Sequence, residues 1–462
     1  MKLSQQEIDS NGHEILEKNP SMRLSFMKFL MRYPIFLLAF GPPIFRSEGI
    51  DATQGIIDIW ALFQVGLIGV IALRAFLHLN TAESILIPKQ VRSVLKYASL
   101  LGALFLASSL YSPSRTASAA YSVLYFFTLI CIVEFIVDVY RNPPNWMQCL
   151  FSLRTIFLLL FALAIITLIF RPGIVMKVEE GAGIHFGGGT VAPLNTICPM
   201  IAIISAYAFL YSLESRVKST VLFLIGFAGT LTGQSRGSEL SLILCLVILG
   251  AAWAKTNKRA AFIFTFSLIV SILFSGAVVA SIGGGRIWNT FNKGENIQTI
   301  ESASGRSEIW KFVLHYCMDH PQGMGYIAGF RMIFREQYAS GLHVTVNNIG
   351  NSHNSFIDIL ADAGWLALAV YLIIIVKIVL LAWRYGKKRG LAAMASDAAS
   401  QHVIRCALVL LVSCLANGMD TADYNVPLKA TFYVQYLIIA IILGLSARMI
   451  ASSRARHISS GK

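Results

Sequence analysis

The recurrence of long apolar runs leaves this chain few ways to fold. Segments near 55–78, 93–111, 116–140, 146–170 and 355–383 stay predominantly apolar over about eighteen residues or more, enough to cross a hydrocarbon core. With 462 residues, 56% hydrophobic and only 13% charged, the chain departs from soluble domains, where about a quarter charged is usual. Lipid requires every backbone polar group to be satisfied internally, which leaves helices or closed barrels. A barrel would show short alternating stretches instead. The expected fold class is therefore all-α, a polytopic membrane protein of about twelve spans. They lie near 33–45, 55–78, 93–111, 116–140, 146–170, 191–212, 219–234, 238–254, 260–282, 355–383, 403–419 and 428–448. Gly41-Pro42-Pro43 interrupts the first.

Lys and Arg in the connectors set the expected orientation. If the N-terminal tail, 1–32, is cytoplasmic, its face also receives Lys89, Arg92, Arg141, Arg216, Lys218, Lys255, Lys258, Arg384 and Lys387, with Arg454 and Arg456 in the C-terminal tail, 449–462. Short connectors on the other face carry single charges such as Arg46, Arg115 and Lys429. The net charge of +14 is then a topology signal, not a nucleic-acid footprint. Six of the seven cysteines lie in or beside apolar runs and read as small buried hydrophobes. Spans one to nine occupy 33–282 and spans ten to twelve 355–448, with a large outer loop, 283–354, between them. A second outer connector, 171–190, carries Gly187-Gly188-Gly189, read as a flexible joint.

That loop of about seventy residues is long for a compact fold, and loops of this length usually carry function. Arg306 and His353 bracket its later part, and Arg331 and Arg335 lie between them. Arg236 sits in a polar break, Thr232 to Glu239, joining two spans at the same face. Guanidinium groups suit phosphate recognition, although each could equally snorkel or pair with a neighbouring Glu. Imidazole is the side chain best matched to proton transfer near neutrality, and His353 stands between Ser352 and Asn354 directly before an apolar run. Asp358 falls near that helix start, where the backbone dipole favours a carboxylate, while Asp362, about a turn deeper, requires a partner. Glu134 and Asp138 read as interfacial. His315, Asp319 and His320 have no fourth ligand beside them and are not taken as a metal site.

His353-Asn354, nine residues, then Gly364-Trp365-Leu366-Ala367 resembles the His-Asn/Ser/Gln, nine residues, Gly-x-x-Gly/Thr/Tyr motif of bacterial O-antigen ligases. Gly305-Arg306, Trp310, Pro321, Gly323 and Gly325 resemble the pattern shared by those ligases with O-antigen and exopolysaccharide polymerases, and Ser235-Arg236-Gly237 matches their Arg-bearing break. Ala367 departs from the ligase form and tilts the likeness toward the polymerases. The resemblance implies a membrane glycosyltransferase of the bacterial inner membrane, both termini cytoplasmic, working without metal or cofactor. Its donor would be a glycan on undecaprenyl pyrophosphate and its acceptor a sugar hydroxyl, glycan-borne or lipid-linked; no nucleic acid is implied. Arg236 and Arg306 would bind the pyrophosphate and His353 would activate the acceptor. Arg331, Arg335 and Asn354 are the expected substrate contacts. A ligase acting on lipid A core and a polytopic transporter are the alternatives.

Overall fold

The computed structural model describes residues 26–40, 59–80, 87–141, 145–179, 183–186, 194–233, 235–256, 258–259, 262–263, 306–329, 332–333, 352, 354–386, 395–419 and 430–459. Its helices follow the apolar runs. They are α1 (Phe26–Arg32), α2 (Ile59–Asn80), α3 (Lys89–Ser108), α4 (Arg115–Arg141), α5 (Trp146–Phe170), α6 (Leu194–Leu210), α7 (Arg216–Thr232), α8 (Arg236–Ala254), α9 (Arg306–Asp319), α10 (Ser355–Gly386), α11 (Ala395–Gly418) and α12 (Ala430–Ser459). A 3-10 stretch, Pro34–Phe40, follows α1. Seven helices among the described residues are long and apolar enough to cross a membrane. The expected ninth span, 260–282, lies almost wholly outside the described residues, as does the glycine triplet 187–189.

The fold class is all-α, as expected, with one short addition: β1 (Met176–Glu179) and β2 (Gly183–Phe186) form an antiparallel hairpin in the connector after α5, with Met176 opposite Phe186. The large loop holds a helix as well. Its described part contains α9, whose Ile309, Val313 and Cys317 recur every four residues and are buried against Leu360 and Ala361.

The helices alternate direction, as two sets of contacts show. At one end lie the bonds of Ser108 and Ser118 to Tyr326, of Ser238 to Asn195, and of Asn354 to Met419. At the opposite end Arg405 Nε donates to Gly386 O (2.8 Å), Tyr207 OH meets His402 Nδ1 (3.1 Å), and Arg154 forks onto Glu214. Lys89, Arg92, Arg216, Lys218, Lys255 and Arg384 are exposed at that second end. Glu134, expected to be interfacial, is only 4% exposed and pairs with Arg74 Nε at 3.2 Å.

Arg154 escaped the sequence reading. It is 3% exposed and uses both guanidinium nitrogens on Glu214, the second at 2.8 Å; Ser219 Oγ (3.0 Å) and Lys218 Nζ (3.3 Å) complete the cluster. Removing one partner of a buried pair strands the other charge, so Arg154→Ala should destabilise the protein by about 3 kcal/mol. Burial pushes the Glu214 carboxyl up, but the hydrogen bonds and charge of Arg154, with Lys218, outweigh this and hold it below its ordinary 4.5. The folded-state value therefore lies below the unfolded one. The stabilisation is present above the ordinary carboxylate range and is lost as pH falls through the lowered value. Melting temperature in detergent should accordingly drop on acidification below about pH 4.5, and Glu214→Gln should remove that part of the drop. An identical acid profile in the two proteins would refute the assignment.

Candidate functional site

The decisive local feature is the break at Gly364. Its backbone, φ 78° and ψ −173°, is not helical and belongs to a region that is essentially glycine-only. The break is a reversal. Phe356 and Tyr371 would be separated by about 22 Å along a straight helix, yet their rings lie 5.9 Å apart. The expected single span 355–383 is thus two pieces: a short helix, 355–363, folded back beside a membrane-length helix, 365–386. Hydropathy cannot show this, because the apolar composition runs through the break unchanged.

The reversal would leave the last carbonyls of 355–363 unpaired. The Pro321–Gly325 turn supplies their partners. Met324 N donates to Ala361 O (2.6 Å), Gly325 N to Asp362 O (2.9 Å), and Trp365 N returns to Pro321 O (3.1 Å). Asp362, for which a partner was required, accepts from Ile327 N at 2.9 Å. The same turn is pinned to the end of α3: Tyr326 N donates to Ser108 Oγ (2.8 Å), Ser118 Oγ to Tyr326 O (2.9 Å), and the Tyr326 ring stacks on Phe105 at 3.9 Å. Gly325, with φ 110°, lies so close to Ser112 that a Cβ would meet the Ser112 Cβ at 2.3 Å. Tyr111 OH donates to Gln322 O at 2.5 Å; burial and then Asp362 push its phenol up to about 12, so it keeps its proton as a donor. Pro321, Gly323 and Gly325, noted as part of a shared pattern, serve here to cap a broken helix.

Folding back places the other end of 355–363, where Ser352 and Asn354 flank His353, about 12 Å along the helix from Gly364. His353, Arg331 and Arg335 lie outside the described residues. Ser352 and Asn354, on either side of His353, are described. Asn354 caps the helix: its Oδ1 accepts from Phe356 N (2.9 Å) and Ile357 N (3.2 Å). Its Nδ2 donates to Met419 O at 3.3 Å. Asp358 Oδ1 accepts from Ser352 N (2.8 Å), so this carboxylate, expected near the helix start, also bonds back to the residue before His353. Trp310 Nε1, one turn into α9, donates to Ser352 O at 2.9 Å. That bond ties the helix begun by Arg306 to the His353 turn.

Arg236 is the first residue of α8, with Ser235 as its cap, accepting from Ser238 N at 3.4 Å. Ser238 Oγ reaches Asn195 O (2.6 Å) and Asn417 Oδ1 (3.3 Å), and Asn417 Nδ2 donates to Asn195 O at 3.2 Å. Asn417 is two residues from Met419, which holds Asn354. The cap before Arg236 is thus joined through Asn417 to the end of α11, which also holds Asn354, and Trp310 of α9 is joined to Ser352. A helix N-terminus favours an anion, and α8 and α9 both open on arginine. Sequence reasoning singled out the two arginines and His353, and not Asn417, Ser238 or the bond from Ser352 to Asp358. Small polar residues inside apolar helices leave little signal.

The fold and this polar end define a multi-pass helical membrane protein whose candidate site is built from helix starts. Residues 221–372, about a third of the chain, match the family model described as O-antigen ligase. The match begins within α7, takes in α8 and α9, and ends past the break within α10. No curated protein matches the sequence.

Proposed function

We propose that the protein transfers a glycan from undecaprenyl pyrophosphate to a sugar hydroxyl in surface-polysaccharide synthesis, with polymerisation of lipid-linked units favoured over ligation to lipid A core. What supports this reading is that Ser238 of α8 and Asn354 both bond to the end of α11 and Trp310 of α9 bonds to Ser352, all but that end lying inside the segment that matches the O-antigen ligase model. In the reaction the bond between the anomeric carbon and the pyrophosphate oxygen breaks, and its electron pair leaves with the lipid pyrophosphate. A new bond forms to the acceptor oxygen, whose proton passes to His353. Arg236 and Arg306, each at a helix start, offset the charge that develops on the leaving group. His353 acts as the positioned base. Arg331 and Arg335 are assigned to contacts with the donor or the glycan, and the arginines carry the charge stabilisation that a metal supplies elsewhere.

The distribution of exposed lysines and arginines supports an inner-membrane protein with both termini cytoplasmic and the site on the periplasmic side. The test is a deletion strain. Single repeat units accumulating on the lipid carrier would support the polymerase reading, and long chains trapped on the carrier would point to the ligase. Unchanged polysaccharide and carrier-linked glycan would sink both. Export of unaltered glycan by purified protein in vesicles would replace the enzyme with a transporter.

A further inference from the structure

The end of α11 belongs to neither arginine helix nor to the His353 turn, yet it touches the neighbours of both. Asn417 is 2% exposed, and its carboxamide binds in two directions, Nδ2 to Asn195 O and Oδ1 to the Ser238 hydroxyl. Ser238 is completely buried and also reaches Ser235 Oγ at 3.0 Å, in the cap that precedes Arg236. Two residues on, Met419 O receives Asn354 Nδ2. Nothing in this chain of contacts requires substrate. It links the cap before Arg236 to Asn354, the residue that follows His353.

We propose that Asn417 is a positioning residue: by bonding Ser238 and Asn195 it fixes the start of α8 against the turn through His353, and so sets the distance between leaving-group stabiliser and base. The inference rests on the proposed transferase reading. A reaction that needs two groups aligned on one glycosidic centre is sensitive to displacements of about 1 Å, which cost on the order of a hundredfold. The carboxamide is suited to the task because one planar group both donates and accepts. An apolar residue of similar volume would fill the space without holding the two turns in register.

The experiment compares Asn417→Leu, Asn417→Gln, Ser238→Ala and the double variant Asn417→Leu/Ser238→Ala in the deletion strain. It reads polysaccharide output, carrier-linked glycan, protein level in the membrane and melting temperature in detergent. Expected is a loss of output of about tenfold or more for Asn417→Leu, with protein level and melting temperature close to wild type and donor accumulating. Asn417→Gln, which keeps a donor and an acceptor, should recover much of the loss. The double variant should be no worse than the poorer single one, because both act through one contact. Output within twofold of wild type in Asn417→Leu would overturn the proposal, and so would a loss that follows melting temperature, or a Gln variant as impaired as Leu. His353→Ala and Arg236→Ala, run alongside, separate the two readings. If those retain full output, the transferase reading fails and takes this one with it; if they lose output while Asn417→Leu keeps it, only the positioning role fails.

Discussion

His353→Ala should abolish glycan transfer, by a factor of about a hundred or more, while the protein inserts and melts as wild type and carrier-linked donor accumulates. Ser352 is held by Asp358 and Trp310, and Asn354 by two amides of its own helix and by Met419. These bonds are made by the residues on either side of His353, so its truncation should leave them in place. Arg306→Ala should show a comparable loss, since one missing stabiliser of developing charge typically costs a hundredfold to about a thousandfold. Arg306→Lys should recover only part, because an ammonium replaces a bidentate fork with a point charge. The measurement is transfer in membranes, with carrier-linked glycan extracted from the deletion strain as donor. Wild-type rates in both His353→Ala and Arg306→Ala would remove the two from the reaction.

Most of the helices were legible because lipid imposes one rule: long apolar windows become helices. The expected 116–140 and 146–170 meet α4 and α5 within a residue or two. What stayed hidden has a physical reason in each case. The helix α9 was available from its four-residue spacing of Ile309, Val313 and Cys317, but its mean composition is that of a loop. Arg154 was also available, as a lone cation eight residues into an apolar run; its partner Glu214 lies far enough along the chain that no local pattern joins them. The reversal at Gly364 was not available, because a backbone dihedral is invisible to hydropathy. The candidate site positions come from resemblance and spacing, whereas the bonds made by their chain neighbours are visible only in the fold. Asn417 looks, in sequence, like any small polar residue at a helix end.

The spacing of nine residues between Asn354 and Gly364 then has a structural meaning, and it leads to the largest stability effect expected in this protein. Gly364→Ala would place a Cβ 2.0 Å from Pro321 O, 2.7 Å from Gln322 C and 2.8 Å from Gln322 Cα. These are backbone atoms of the turn that caps 355–363, so no side chain can swing aside to make room. The substitution also forces an L-residue into a positive-φ region that costs about 1–3 kcal/mol. Relief would require the turn to retreat, which breaks the bonds from Met324 N, Gly325 N and Trp365 N and leaves buried groups without partners at about 1–3 kcal/mol each. A total near 5 kcal/mol exceeds what a marginally stable fold tolerates. The expected result is a protein that is degraded or melts far below wild type, and whose surviving fraction is inactive because 355–363 carries the His353 turn at its other end. Gly69→Ala is the matched control: nothing lies within 4 Å of the added Cβ, and the site is inside α2, where alanine is favoured over glycine by about 0.5–1 kcal/mol. Melting curves and membrane levels of the two variants settle the matter. Similar behaviour of the two would mean that the reversal at Gly364 does not hold the site, and that the motif's nine-residue interval has some other cause.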